Sequence, residues 1–148
     1  MGSYISAELR RLVAARADYL CEYCLIHEQD RGFGCHVDHI IAEKHGGKTE
    51  PANLAYACAF CNRSKGSNVG SVHRQTGALI RLYNPRIDTW SQHFRLDGTQ
   101  IAAISETGEV TVRILRFNDD ERCLEREVLR AIGRYPCAAA ALRMAARS

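Results

Sequence analysis

The sequence predicts an α+β fold, with a helix first, a pair of short strands next, and a small antiparallel sheet and a helix in the second half. Three observations point to this class. Two C-x-x-C pairs bracket two short apolar runs, and a third segment alternates β-type runs with turn signals. The pairs are Cys21/Cys24 and Cys58/Cys61, the runs are CHVDHII (35–41) and LAYAC (54–58), and the alternating segment covers 93–116.

Length and composition limit the number of domains and the class of protein. The chain has 148 residues, of which 46% are hydrophobic and 25% charged, as is ordinary for one globular domain or one domain with a small appendage. We expect a core over 1–75 and an extension over 76–148 packed on it. No apolar run approaches the roughly 20 residues of a membrane span. The first residues carry no apolar signal core, so we expect a cytoplasmic protein.

The first half is predicted as helix, strand, loop, strand, helix. Helical spacing of apolar residues predicts a helix over 6–20, with Ser6 as its N-cap. A glycine-containing loop over 25–34 leads to the strand 35–41. A long polar loop over 42–53 then separates it from the strand 54–58, and a helix is expected to start around Cys61-Asn62.

The second half is predicted as an irregular stretch, a sheet and a helix. Residues 76–90 look irregular. HFRL, TQIAAIS and VTVRILR predict a three-stranded meander with turns at Asp97-Gly98 and over 106–109. Trp90 and Phe94 are available to anchor this sheet to the first half. A helix is expected over 119–132, and the Ala-rich tail fits either a last helix or a frayed end.

Seven cysteines in a chain without secretory features indicate metal or reactivity before disulfides. Two C-x-x-C pairs supply four thiolates, the ligand set of a closed tetrahedral zinc site with Zn–S near ~2.3 Å. The alternative is a redox C-x-x-C, but that motif occurs singly at a helix start after a strand. We therefore predict a structural Zn²⁺ held by Cys21, Cys24, Cys58 and Cys61, and assign no role to the other three cysteines.

The strand CHVDHII ends in charged residues that an apolar strand would not bury unpaired. Closing the cysteine site brings the second C-x-x-C, and Asn62 after it, near Asp38 and His39. Asp38 and Asn62 offer oxygen ligands to a hard cation such as Mg²⁺ or Mn²⁺. His39 has the unperturbed pKa, near ~6.5, that suits a general base at neutral pH. We therefore predict a second, open metal site at this strand end.

At these residues the chain resembles a known family. The stretch CEYC…VDHIIAEKHGG…NLAYACAFCNRSKGS is similar to HNH endonucleases in their zinc-stapled, four-cysteine form, over roughly residues 10–70. The resemblance implies a ββα-metal (His-Me finger) core and metal-dependent hydrolysis of DNA phosphodiesters. It assigns His39 as general base, Asn53 as the middle Asn, and Asn62 as the last position, an H-N-N variant. It also implies products with 5′-phosphate and 3′-hydroxyl ends.

The expected partner is DNA. The net charge is only +3, but no acidic residue lies between 51 and 87, where five basic residues fall: Arg63, Lys65, Arg74, Arg81 and Arg86. We expect Arg63 and Lys65 to take phosphate oxygens. His45 is either a backbone contact or a solvated loop residue, and His36 either a second-shell group or a packing residue.

The main alternative is a zinc-stabilised nucleic-acid-binding module without catalysis, and a zinc-dependent redox protein is more distant. Cleavage of DNA with a divalent cation, and loss of that cleavage without His39, separate the enzyme from the binding module. The sequence predicts neither the oligomeric state nor the DNA that is preferred.

Overall fold

The computed structural model describes residues 4–147, and all structural statements below concern that range. It has five α-helices: α1 (Ala7–Arg16), α2 (Ala59–Lys65), α3 (Glu106–Ile114), α4 (Asp120–Ala131) and α5 (Ala138–Ala145). Its six strands are β1 (Cys35–His39), β2 (Leu54–Cys58), β3 (Gly70–Val72), β4 (Leu79–Arg81), β5 (Phe94–Asp97) and β6 (Gln100–Ala103). The strands form three antiparallel two-stranded sheets. This mixture of helices and small antiparallel sheets fits the predicted α+β class.

The strands β1 and β2 pair antiparallel, with Cys35 opposite Cys58 at one end and His39 opposite Leu54 at the other. β2 has the predicted bounds, whereas β1 ends at His39 instead of residue 41. The helix α2 follows β2 without a loop, because the Cys58 sulfur accepts the Cys61 N–H at 3.5 Å in the N-cap position. The helix thus starts at Ala59, two residues before the predicted point, and lies against both strands.

The first helix is shorter than predicted. Ser6 caps α1, accepting the Leu9 N–H at 3.1 Å, but the helix ends at Arg16 and not at residue 20. Asp18 and Tyr19 take left-handed backbone conformations with φ of 54° and 60°. These two residues turn the chain away from the helix axis, so that it enters the first C-x-x-C pair from a sharp bend.

The predicted three-stranded meander is wrong in its last strand. β5 and β6 form a hairpin around Asp97-Gly98 as expected, but residues 106–114 form the helix α3. Ser105 caps that helix by accepting the Gly108 N–H at 2.9 Å, and Val110 and Thr111 are buried. The β-branched residues favoured a strand, yet the cap and one apolar helix face decide the outcome once this face packs on the hairpins.

Two other segments are more regular than predicted. Residues 79–81, expected to be irregular, form β4 and pair with β3. The Ala-rich tail, which fitted a helix or a frayed end, contains α5. The helix expected over 119–132 is α4, with bounds within one residue of the prediction.

One hydrophobic cluster includes buried residues from both halves of the chain. Trp90 and Phe94 are buried in it, and the Trp90 indole N–H donates to the Tyr23 carbonyl at 2.8 Å. The Tyr135 hydroxyl donates to the Cys24 carbonyl at 2.9 Å. The second half thus contacts the first C-x-x-C pair directly. Within residues 4–147 no helix is long and apolar enough to cross a bilayer.

Candidate metal centre and strand-end site

The four paired cysteines meet in space. The sulfurs of Cys21, Cys24, Cys58 and Cys61 all lie within 4.8 Å of one another, and all four residues are buried. Cys24 and Cys58 Sγ are 3.8 Å apart, and a tetrahedron with ~2.3 Å metal–sulfur bonds has edges of about 3.8 Å. The side chains therefore fit the predicted structural zinc site. This group of four is called the cysteine cluster below.

Backbone geometry at each pair aims the sulfurs inward. In the first pair Leu25 has φ of 63°, and its N–H donates to the Cys21 carbonyl at 2.8 Å, which closes a tight knuckle. In the second pair Cys58 is the N-cap of α2 and Cys61 lies in its first turn. Such knuckles need only the C-x-x-C spacing, so the cluster was predictable from the sequence.

The other cysteines lie outside the cluster. Cys35, Cys123 and Cys137 are free and partly buried. Cys35 faces Cys58 across the β1–β2 pair but belongs to no metal-ligating group among residues 4–147. Burial raises the pKa of the Cys35 thiol well above its usual value, with the charges of Cys58 and Cys24 acting in the same direction.

At the other end of β1, Asp38 and the last residue of α2 form an ion pair. The Lys65 ammonium lies 3.1 Å from Asp38 Oδ2 and donates to the His39 carbonyl at 3.0 Å. Only 2% of the Lys65 side chain is exposed. The prediction that Lys65 contacts DNA phosphate is therefore wrong, because its charge is buried against β1.

The carboxylate of Asp38 fits a cation site in part. Burial raises its pKa, and the charge of Lys65 opposes that shift. Its Oδ2 is buried, and no group among residues 4–147 gives it a well-directed hydrogen bond, although the ammonium of Lys65 is close. A buried carboxylate oxygen with unused acceptor capacity is a suitable ligand atom for Mg²⁺ or Mn²⁺.

His39 lies beside this pair and is held by the loop that follows β1. Its Nε2 forms a hydrogen bond with Thr49 Oγ1 at 2.8 Å and lies 3.9 Å from a Glu43 carboxylate oxygen. Its side chain is 17% exposed, so solvent reaches part of the ring. Sequence reasoning missed both partners: Glu43 stands four residues after His39, which is a weak signal, and Thr49 gave no signal.

Asn53 ties the same loop together. Its side-chain oxygen accepts the Ile41 N–H, and its amide donates to the carbonyls of Ile41 and Lys48, each at 2.9 Å. Gly47 makes this approach possible, because a Cβ there would lie 1.7 Å from the Ile41 carbonyl oxygen and 2.8 Å from Asn53 Nδ2. Asn53 thus joins the two ends of the loop, and its role in orienting His39 stays a prediction.

The remaining predicted residues lie on α2, on the loop after β1 and on β1 itself. Asn62 is partly buried on α2, three residues before Lys65 and therefore on a neighbouring part of the same helix face. Arg63 is exposed, with its guanidinium 5.5 Å from the Phe60 ring centre.

His45 is exposed in the loop. His36 is exposed in a groove with Arg10 and Arg11, and its second-shell role stays a prediction.

The acid-free segment 51–87 is less basic at the surface than its sequence implied. Three of its five cations form ion pairs with carboxylates from outside the segment. These pairs are Lys65–Asp38, Arg81–Asp88 and Arg86–Glu22. Arg63 and Arg74 are the exposed cations of this segment without an ion pair among the described residues.

Two buried arginines that the sequence did not single out touch the cysteine cluster. Arg31 Nη2 lies 3.6 Å from Cys24 Sγ, and Arg122 Nη2 lies 3.1 Å from Cys61 Sγ. Arg122 stands 61 positions after Cys61, so no spacing rule connects them.

One comparison with known proteins matches the part of the chain that contains the cysteine cluster and the strand-end residues. No curated protein and no solved structure gives a significant match. A family model described as HNH endonuclease matches residues 21–68, about a third of the chain, which runs from the first cysteine of the cluster to just beyond α2. The matched residues include the cysteine cluster and the strand-end residues Asp38 and His39, and this match supports a nuclease-type function acting on nucleic acid.

Proposed function

We propose that the protein is a metal-dependent DNA endonuclease that hydrolyses phosphodiester bonds, with β1, β2 and α2 as a ββα-metal core. The observation that carries this proposal is the meeting of β1, α2 and the Asn53 loop around Asp38 and His39. A carboxylate and an imidazole on adjacent residues, both partly accessible to solvent, suit hydrolysis, in which water must lose a proton beside a bound cation.

His39 is the general base. Its Nε2 forms a hydrogen bond with Thr49 Oγ1. The mechanism uses the tautomer in which Nε2 donates in this bond, because the lone pair then lies on Nδ1. Nδ1 takes a proton from the attacking water, the new P–O bond forms, and the bond from phosphorus to the 3′ oxygen breaks. The 3′ oxygen then takes a proton from solvent, which leaves 5′-phosphate and 3′-hydroxyl ends. Asn53 orients His39 by holding the loop and does not react.

Asp38 and Asn62 would hold the catalytic Mg²⁺ or Mn²⁺. Such a cation, when bound, offsets the charge that develops on the phosphate and the leaving oxygen. Asp38 contributes a largely buried carboxylate, and the charge of Lys65 opposes the rise in the pKa of Asp38 that burial causes. Arg63 and His45, both exposed, are proposed to contact the DNA backbone.

The Lys65–Asp38 pair also favours a second candidate, a zinc-stabilised nucleic-acid-binding module without catalysis. The ammonium already supplies Asp38 with a cationic partner at 3.1 Å. A protein that no longer used a divalent cation would keep its fold with this pair alone. The two candidates differ in one measurable property, which is cleavage.

The deciding experiment incubates supercoiled plasmid with purified protein in EDTA, Mg²⁺ or Mn²⁺. We expect nicking with a divalent cation and none in EDTA. His39→Ala should keep its fold and its DNA affinity but lose about 100-fold or more in cleavage rate, the usual scale for a general base. His36→Ala is the matched control, since His36 is an exposed imidazole on the same strand.

Two results would overturn the proposal. If metal-loaded wild-type protein binds DNA but cleaves no plasmid, single-stranded or branched DNA with either cation, the binding module replaces the nuclease. If His39→Ala cleaves as fast as wild type and His36→Ala does not, the base is His36.

A further inference from the structure

The cysteine cluster has a buried second layer of positive charge. Arg122 Nη2 donates to Cys61 Sγ at 3.1 Å, and Arg31 Nη2 donates to Cys24 Sγ at 3.6 Å. Arg122 is 3% and Arg31 7% exposed. Each guanidinium therefore reaches a different C-x-x-C pair of the cluster, in a region that excludes water.

The charge of the centre explains why two cations are needed. Four thiolates around a divalent ion leave two excess negative charges. Burying them uncompensated costs several kcal/mol or more, roughly. Arg31 and Arg122 supply two positive charges within hydrogen-bonding reach of the sulfurs. Arg31 also pairs with Glu125 at 2.5 Å, but that carboxylate is 29% exposed and remains accessible to solvent screening.

The two arginines are held in place by the second C-x-x-C pair itself. Phe60 lies between Cys58 and Cys61 in the sequence, and its ring centre is 5.0 Å from the Arg31 and 5.6 Å from the Arg122 guanidinium carbon. Arg122 also donates to the Leu115 carbonyl at 2.8 Å. The Nε atoms of both arginines are buried without a hydrogen-bond partner among the described residues. Placing both charges next to the sulfurs therefore carries the unfavourable free energy of leaving these two buried Nε donors without partners.

We propose that Arg31 and Arg122 are positioning residues of the metal centre, which hold the thiolates of Cys24 and Cys61 by N–H···S hydrogen bonds and slow the loss of the metal. Because Arg122 lies on α4, the C-terminal half of the chain completes the centre. This gives that half a role beyond packing, and one that is separate from the proposed DNA cleavage.

The competing explanation is that Arg122 only packs. Arg126 provides the matched control, because it lies on the same helix, is 0% exposed and donates to the carbonyls of Thr99 and Phe117. Its hydrogen bonds reach none of the four clustered cysteines among residues 4–147. Arg126→Met should therefore lower stability without changing the metal centre.

The first test measures transfer of zinc from the full-length folded protein to an excess of a chromogenic chelator at neutral pH. Loss of an outer-layer partner typically weakens metal binding by about 10–100-fold. We expect release at least about 10-fold faster for Arg122→Met, intermediate release for Arg122→Lys, and release close to wild type for Arg126→Met.

The second test reads the metal–sulfur bond itself. In Co²⁺-substituted protein, N–H···S bonds lower the energy of the sulfur donor electrons, so their loss should move the sulfur-to-cobalt charge-transfer band to longer wavelength. We expect this shift in Arg122→Met, partial recovery in Arg122→Lys, and no shift in Arg126→Met. Should Arg122→Met fail to fold, Arg31→Met and Arg31→Lys give the same readouts at Cys24.

Equal release rates and equal spectra for Arg122→Met and Arg126→Met would overturn the proposal. So would wild-type protein that retains neither zinc nor cobalt. Both results are independent of DNA cleavage, so failure of the nuclease proposal would leave this inference standing.

Discussion

The two ends of the β1–β2 pair differ in how their side chains are arranged. At the Cys58 end, four buried cysteines converge on one point. At the Leu54 end, about 13 Å away along the strand, His39 and Asp38 remain partly accessible, and Thr49 of the loop held by Asn53 contacts His39. The closed group of four cysteines is the arrangement that a structural metal site requires, whereas the proposed catalytic site keeps partly accessible side chains.

The helix α2 joins the two ends. Cys61 lies in its first turn, and Lys65 is its last residue and contacts Asp38. A rise of about 6 Å separates these two positions along the helix axis. The cluster fixes one end of α2, and the ion pair fixes the other. Stability should therefore depend most on the cluster, and the geometry of the strand-end site should depend on the pair and the loop.

The largest effect is expected from Cys58→Ser. Removing one of four thiolates opens the closed centre, and structural zinc sites contribute on the order of 10 kcal/mol to folding. The variant should lose bound zinc and its cooperative thermal transition, measured by metal analysis after dialysis and by circular dichroism. Cys35→Ser, which changes the cross-strand neighbour outside the cluster, should retain both. A metal-free Cys58→Ser protein that melts cooperatively would contradict the structural role.

Lys65→Met should have the next largest effect. It leaves the Asp38 carboxylate buried without its counter-charge, which costs about 3 kcal/mol in buried pairs. Arg81→Met is the control, because the Arg81 side chain is 49% exposed in its pair with Asp88 and such pairs contribute at most about 1 kcal/mol. If urea unfolding shows that Lys65→Met and Arg81→Met lose the same free energy of unfolding, burial of the Lys65–Asp38 pair adds nothing to its contribution to stability.

The Lys65→Met effect should also depend on pH. Burial raises the pKa of Asp38 above its usual value, about 4, and loss of Lys65 raises it further. A group with a raised folded pKa destabilises the fold as pH rises through this range, because the buried acid must ionise. The stability gap between Lys65→Met and wild type should therefore narrow as the pH falls toward 4 or so. If the difference in stability between wild type and Lys65→Met stays constant as the pH falls, ionisation of Asp38 is not the cause of that difference.

Gly47→Ala tests the loop over the open end. The added Cβ meets the Ile41 carbonyl and the Asn53 amide, so the Asn53 hydrogen bonds must yield, at a cost of about 2 kcal/mol typical of overpacking. Gly32→Ala is the control, because a Cβ there has no neighbour within 4 Å. Denaturant unfolding compares the two. If Gly47→Ala has the same free energy of unfolding as wild type, the loop accommodates the added Cβ without losing stability.

The smallest effect on stability, but a clear one on binding, is expected from Arg63→Ala. Arg63 is exposed, so the fold should be unaffected, whereas the salt dependence of DNA binding should weaken by about one unit of slope. Arg116→Ala, at a 67% exposed side chain in the second half, should leave the slope unchanged. Fluorescence-anisotropy titrations at several salt concentrations measure these slopes. If the slope changes for Arg116→Ala and not for Arg63→Ala, the DNA-binding surface lies on the second half of the chain.

Sequence patterns predicted the parts of the fold that local chemistry decides. The C-x-x-C spacing specified the cysteine cluster, the apolar runs specified β1 and β2, and the Asp-Gly turn specified the β5–β6 hairpin. The α3 helix was mistaken for a strand, because the β-branched residues of 110–112 favour strands locally and only packing reveals the buried helix face. The division of the chain at residue 75 and the roles of His39 and Asn62 stay predictions.

The sequence by itself determined that four cysteines would meet, since residue type and spacing carry that information. It also predicts that Asp38, His39, Asn53 and Asn62 form one site, and this stays a prediction. Only the tertiary structure decided that Lys65 is buried against Asp38 and that Arg31 and Arg122 face the thiolates. The physical reason is charge. A buried ion needs a counter-charge from wherever the fold brings one, and Arg122 comes from 61 positions away along the chain.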